Sequence, residues 1–339
     1  MVTRFNNIIK HLPKPTYVTE YGAAYVGDAL HLLKLLPDES IDLVVTSPPF
    51  PLQRVKTYGR PAEEEKFVEW ILPFIAEVRR VLKESGSFVI DLGGVFKKGR
   101  PVKSLYNYRF LIEVVDKQDW VLCQEFFWFN PSKLPSPIEW VNKRKIRVKD
   151  AVNTIWWLSK TDFPKANVNK VLIEYSDRMK TLLKLKERFY RPKKRPSGHD
   201  ISEKFMNLDE QKGAIPPNLL VIPNTRSSSV YLRACRILRI PPNPARFPEE
   251  LPEFFIKFLT EPEDVVLDIF AGSNATGVVA EKLKRHWLAF EIKKEYVIAS
   301  AFRFIDKIDE HNLKKLLEDL TKGKLVDLTK KSTDLTKYI

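Results

Sequence analysis

Cysteine is scarce: Cys123 and Cys235 are the whole complement of a 339-residue chain. Two thiols in unrelated contexts exclude a disulfide framework and a cysteine-based zinc site, and they fit a reducing cytoplasm. Long apolar runs are missing too; none approaches the roughly 20 residues that a membrane-spanning helix needs. No charged-then-apolar stretch precedes the first motif, so no export signal is expected. Acidic residues are outnumbered, 43 against 57 Lys and Arg, which leaves a formal charge of +14. The excess is clustered. Residues 178–195 hold nine basic residues and one acidic, and residues 133–150 hold six against two. One such cluster is ordinarily a solvated helix face, but two together suit a polyanion, because each neutralised phosphate releases counterions.

Glycine is missing where a dinucleotide site would need it. Residues 264–291 read as strand, turn, helix and second strand: Asp268-Ile269-Phe270-Ala271-Gly272-Ser273-Asn274 in the turn, Glu291 at the far end. Asn274 occupies the middle glycine position of G-x-G-x-x-G, and the Lys-Ser/Thr pair of a P-loop is lacking. A pyrophosphate would gain little here, and Asp268 would repel it. A carboxylate at the turn better suits an amine-bearing or cationic ligand, while Glu291, nineteen residues beyond Gly272, has the spacing of a ribose-binding acid. An ordinary α/β crossover with a buried aspartate is the alternative.

Further upstream the apolar run Ile41-Asp42-Leu43-Val44-Val45 stops at Thr46-Ser47-Pro48-Pro49-Phe50. Proline fixes φ and lacks the N–H that a ladder needs, so the backbone is held open just past the strand. The Ser47 hydroxyl and the carbonyls around Pro48 become acceptors beside one aromatic ring, Phe50. An amino group on a flat heterocycle fits such a corner, although prolines after a strand are often only a turn.

These two boxes, in this order, resemble the β class of amino-methylating DNA methyltransferases. Longer stretches are similar to the PvuII-type cytosine-N4 modification enzymes: Trp-Phe-Asn-Pro-Ser-Lys-Leu-Pro-Ser-Pro-Ile-Glu-Trp-Val-Asn-Lys-Arg-Lys-Ile-Arg at 128–147, Arg-Pro-Ser-Gly-His-Asp at 195–200 and Ala-Arg-Phe-Pro at 245–248. The similarity spans roughly residues 20–310. It departs from the pattern at Ala275, where a threonine is usual, and at Asn243, where histidine is common; both bear on cofactor affinity. The resemblance implies transfer of a methyl group from S-adenosylmethionine to N4 of a flipped cytosine in double-stranded DNA, with no metal. It assigns Ser47, Pro48, Pro49 and Phe50 to catalysis. It assigns Asp28, Asp268, Phe270, Gly272, Ser273, Asn274, Glu291 and Phe247 to the cofactor, with Glu291 on the ribose hydroxyls and Asp28 at the adenine amine. The basic residues Lys133, Lys143, Arg144, Lys145, Arg147, Lys193, Lys194, Arg195 and His199 are read as DNA contacts. A cognate restriction endonuclease, a monomer on DNA and, if similarity holds through 164–242, the target CAGCTG are also implied. Methylation at C5 is disfavoured, since it needs a thiolate in a Pro-Cys loop and neither cysteine follows a proline. Adenine-N6 methylation, a nucleotide-dependent oxidoreductase and a non-catalytic DNA-binding module remain open.

The implied fold is α/β, a doubly wound, mostly parallel sheet of the S-adenosylmethionine-dependent methyltransferase type. It is circularly permuted and carries an inserted DNA-recognition region. The catalytic half covers 1–163, the recognition region 164–242, the cofactor half 243–310 and a polar tail 311–339. Local patterns predict a strand over 23–27, the strand before Thr46, a loop over 51–61 and an amphipathic helix over 67–82 closed by Gly86. A strand over 87–92, a helix over 106–115 and an antiparallel hairpin from 120–129 and 151–158 follow. The tail, with Asp-Leu-Thr-Lys at 319, 327 and 334, reads as a helical or frayed end.

Overall fold

A computed structural model describes residues 4–51, 64–185, 213–225, 229–305 and 309–329. The chain opens with α1 (Arg4–Ile9), β1 (Tyr17–Val18), β2 (Gly22–Val26), α2 (Ala29–Lys34) and β3 (Ile41–Thr46). After these come α3 (Glu64–Val81), β4 (Leu82–Gly93), α4 (Tyr106–Gln118), β5 (Val121–Phe129) and β6 (Val152–Ser159). Later elements are α5 (Asp177–Leu185), β7 (Leu219–Val221), α6 (Val230–Leu238), α7 (Glu250–Leu259), β8 (Val265–Asp268) and α8 (Ala275–Lys282). The last are β9 (His286–Glu291), α9 (Lys294–Ser300), α10 (Glu310–Thr321) and β10 (Val326–Asp327).

The strands form one sheet in the order β10-β1-β2-β9-β8-β3-β4-β6-β5-β7. Its centre, β2-β9-β8-β3-β4, is parallel throughout. The pair β5–β6 is the expected antiparallel hairpin, joined to the parallel part by β4–β6. Both faces are covered. Along β9, Leu288 and Phe290 pack with α2, α3 and α4 on one side, while Trp287 and Ala289 pack with α7, α8 and α9 on the other. Such double coverage explains why the central strands read as nearly continuous apolar runs. One polar exception is Asp42 in β3. Its buried carboxylate accepts from Val265 N at 2.9 Å and pairs with Lys83 and with Arg4, tying α1, β4 and β8 to β3.

Three boundaries differ from those expected. The helix through 82 stops at Val81, because Leu82 pairs with Ile41 and starts β4 early. The tail, expected as a helical or frayed end, is helical over α10, which buries Leu313 and Leu320, and it adds a strand that was not expected, β10, paired with β1 in parallel. The region 164–242 is not one insert. Residues 166–217 form a separate compact unit, with a 3-10 turn at Val168–Lys170, α5 and a bridge between Ile173 and Ala214. Residues 218–242 belong to the sheet unit instead, since β7 hydrogen-bonds to β5 and α6 buries Tyr231, Ala234 and Cys235. Past Pro51 the loop expected over 51–61 lies outside the described residues. No described helix is long and apolar enough to cross a membrane.

Gly22 pairs with Trp287 across β2 and β9, and a Cβ there would overlap the indole ring. That ring is fully buried and its Nε1 donates to Glu281 at 2.8 Å, so it has nowhere to move. Gly22→Ala is therefore expected to lower stability by about 1–3 kcal/mol. A urea titration would show this as a lower midpoint; an unchanged midpoint would contradict the packing at this crossing.

Candidate active site

Because β2, β9, β8, β3 and β4 are mutually parallel, their carboxyl ends share one rim, where ligands of wound sheets bind. Asp28 follows β2, Ser47 follows β3, Gly272 follows β8, and Glu291 ends β9. Asp28, Ser47, Pro48, Pro49, Phe50, Phe247, Phe270, Gly272, Ser273 and Glu291 all line a single cavity at this rim. The two boxes, over two hundred residues apart in sequence, face the same space.

Their junction is the Asp268 carboxylate. It accepts from Thr46 Oγ1 and Thr276 Oγ1 at 2.7 Å each and from Phe270 N at 3.1 Å. Burial pushes this carboxyl up to about 6, while those three donors act in the opposite direction. Asp268, expected at the cofactor, is not among the residues lining the cavity, and three of its acceptor positions are taken up by the fold. Asn274 is engaged by the fold as well. In the left-handed region at φ 56°, it caps α8 by accepting from Gly277 N at 2.9 Å, and it donates to the Tyr17 hydroxyl at 3.0 Å. It too is absent from the cavity wall.

The rest of the turn faces inward. Gly272 has φ +53°, and its N–H donates to Glu291 Oε2 at 3.0 Å, while Lys293 N donates to Oε1 at 2.9 Å. Glu291 is thereby aimed, with lone pairs left for a ligand's hydroxyls, and burial raises its carboxyl above the usual range. A Cβ at Gly272 would collide with Asn243 Nδ2, so Asn243 stands directly against the turn. Behind the turn, the Arg303 guanidinium donates to the Ser273 carbonyl and hydroxyl at 2.5 and 2.9 Å and to Glu249 at 3.0 Å. Phe270, Trp70 and Phe74 form an aromatic wall, with Phe270 5.8 Å from Trp70 and 5.4 Å from Phe74. A carboxylate at Asp28, which also caps α2 through His31 N, completes the set. A flat apolar wall, an acid at hydroxyl reach and a second acid at the rim fit an adenosine ligand with a cationic end.

On the other side of Ser47 the cavity meets a second one. Both are lined by Ser47, Phe50, Ala245, Arg246 and Phe247. Phe50 packs on Gly93, where a Cβ would lie 2.6 Å from its ring, so the strand must be bare at that point. The Ser47 hydroxyl donates to Asp91 Oδ2 at 3.1 Å, and Asn153 Nδ2 donates to Asp91 Oδ1 at 3.0 Å. Burial pushes the Asp91 carboxyl up to about 6, against Asn153, Ser47 and the charge of Lys133. Sequence reasoning missed Asp91 and Asn153; a carboxylate inside the apolar strand around 87–92 was the available signal. Lys133, Lys143 and Arg144 line this second cavity, while Lys145 and Arg147 are exposed on the same loop. Lys193, Lys194, Arg195 and His199 lie outside the described residues. Neither cysteine reaches either cavity; Cys123 bonds Ser159 at 3.0 Å, and burial raises both thiols.

The wound sheet and its rim cavity define an α/β methyltransferase. A family model described as DNA methylase, of the N6/N4 type, matches residues 41–302, and the chain belongs to that family. It is 54% identical over 324 residues to the type II methyltransferase M.PvuII of Proteus hauseri, covering 95% of this chain and 96% of that one. The solved PvuII DNA methyltransferase, described as cytosine-N4-specific, superposes with a TM-score of 0.76 at 49% identity, covering 93% and 98%. A Thermus thermophilus protein solved with S-adenosyl-L-methionine shares the fold, with a TM-score of 0.50 and 19% identity over 91% and 99% of the two chains.

An ionised Asp91 is the stronger acceptor for the Ser47 hydrogen and the only form with room to take up a proton. Turnover is expected to rise as pH increases through about 6 and then level. Asp91→Asn should remove that limb and lower kcat by about 100-fold with cofactor affinity nearly unchanged. A pH–rate profile of both proteins tests this; the same limb surviving in the variant would assign it elsewhere.

Proposed function

We propose that this chain is a type II DNA methyltransferase of a restriction–modification system, transferring the methyl group of S-adenosylmethionine to the exocyclic N4 of a flipped cytosine. The observation that carries the mechanism is the Ser47–Asp91 hydrogen bond, set where the two cavities meet. The family match and 54% identity to M.PvuII support the reaction. The distance of both cysteines from the cavities argues against methylation at carbon.

Cytosine N4 is a poor nucleophile because its lone pair is delocalised into the ring. Ser47 donates its hydrogen bond to Asp91, so its oxygen lone pairs are free to accept an N4 hydrogen. The Pro48 carbonyl supplies a second acceptor, and together they favour a pyramidal amine and take up its developing positive charge. Once N4 gains the methyl, one N4 proton passes to Ser47 Oγ as the Ser47 proton passes to Asp91, whose raised value suits it as the final acceptor. The bound cofactor contributes an electrophilic methyl carbon on a sulfonium. Glu291 holds ribose hydroxyls, Asp28 the adenine amine, and Phe270 with Trp70 and Phe74 the ring. Phe50 stacks on the extruded base, a contact worth on the order of 1–3 kcal/mol.

Lys143, Arg144, Lys145 and Arg147 contact phosphates along the duplex. Target recognition belongs to the separate unit at 166–217, whose sequence holds most of the basic run at 178–195. Resemblance to the PvuII type supports CAGCTG as the target, pairing with a cognate nuclease, and action as a monomer.

Tritium transfer to a CAGCTG-bearing plasmid, followed by nucleoside analysis, should yield N4-methylcytosine; N6-methyladenine or 5-methylcytosine would overturn the assignment. Ser47→Ala should lower kcat about 100- to 1000-fold at near-normal cofactor affinity. Glu291→Ala should do the reverse, weakening cofactor binding in calorimetry more than it slows saturated turnover. Equal loss of cofactor affinity in both variants would contradict their separate roles.

A further inference from the structure

The segment between β5 and β6 presents aliphatic side chains to water beside the second cavity. Leu134 is 80% exposed, Ile138 58% and Val148 88%. Exposed apolar groups in a cluster mark an interaction surface more often than chance. Here they are held outward by a hydrogen-bonded frame. Lys149 Nζ donates to the Pro131 carbonyl at 2.9 Å, Asp150 N to Ser136 O at 3.2 Å, and Ile146 N to Trp140 O at 2.9 Å. The Trp140 ring is buried and the Arg144 guanidinium lies 5.0 Å from its centroid, which anchors the middle of the loop.

Position and charge say what covers these groups. Ile138 lines the second cavity together with Ser47, Phe50 and Asp91, and Leu134 directly follows Lys133, another lining residue. The loop's two acids are already engaged: Glu139 with Lys143 at 3.3 Å and Arg144 at 3.0 Å, and Asp150 with Lys103. Its remaining charge is positive, so the surface meets a polyanion. An apolar tip on a basic frame, beside a cavity that also holds Ser47, Phe50 and Asp91, matches what an interrupted duplex offers. Extruding a base leaves an unstacked gap, and apolar wedges are the groups that fill such gaps.

We infer that Leu134 and Ile138 form a wedge that enters the duplex beside the target and occupies the space the flipped cytosine vacates. The inference rests on the base-flipping methyltransferase reading above. The wedge lowers the cost of extrusion and takes no part in methyl transfer. Its removal therefore matters only when the target is paired.

The test compares wild type, Leu134→Ala, Ile138→Ala and the double variant on two duplexes. One is fully matched; the other has an abasic site opposite the target cytosine. The double variant should lose at least about tenfold in kcat/KM on the matched duplex and return to within about threefold of wild type on the abasic one. Calorimetric cofactor affinity checks that each variant is folded, and Leu134→Met with Ile138→Leu should retain activity on both duplexes. Equal losses on the two duplexes, or no loss on either, would overturn the wedge. Failure of the wild-type protein to methylate either duplex would instead remove the methyltransferase reading.

Discussion

The Asp268 carboxylate is the point on which the site depends. It joins Thr46, the last residue of β3, to Thr276 at the start of α8, and so holds the catalytic corner against the cofactor turn. Burying a carboxylate is costly unless its lone pairs are filled. Here two hydroxyls and one amide take up three acceptor positions at ordinary hydrogen-bond lengths. Ser47 and Gly272 then face one cavity as a consequence, each a residue or a few beyond the junction.

A second buried carboxylate, Asp91, is raised to the same range by the same cause, yet it does different work. Asp268 is surrounded by donors that belong to the fold. Asp91 is held by Asn153 through both oxygens, and its Oδ2 also accepts from the Ser47 hydroxyl, which faces both cavities. In a shielded site a hydroxyl polarised by a carboxylate is a stronger acceptor than in water. The Arg303 guanidinium does for the glycine turn what Asp91 does for Ser47: a charge behind the wall fixes the orientation of a group in front of it.

The sheet centre and the location of the site were legible in the sequence because both rest on local chemistry. A β-branched run ending in Ser-Pro-Pro fixes where β3 stops, and the Gly272 turn declares a strand-to-helix corner. Asp91 showed in the sequence only as a carboxylate within an apolar run, and its meeting with Asn153 was not legible, since it requires β4 and β6 to pair in a register that brings Gly93 opposite Asn153. The directions of Asp268 and Asn274 were not legible, because a motif names a residue type without its direction. Thr46 and Thr276 claim the first, and Tyr17 with Gly277 claims the second. The boundary at 217 was hidden for a related reason. The three-residue β7 has no periodicity of its own and exists because β5 offers an open edge.

The most direct test of the central claim is a crystal structure of the protein with a non-reactive cofactor analogue and a duplex carrying its target. The analogue's ribose is expected on Glu291, its adenine against Phe270, and the N4 of an extruded cytosine within hydrogen-bond distance of Ser47 Oγ. A cofactor seated away from the Gly272 turn, or a target base still stacked in the duplex with Ser47 facing empty space, would contradict it.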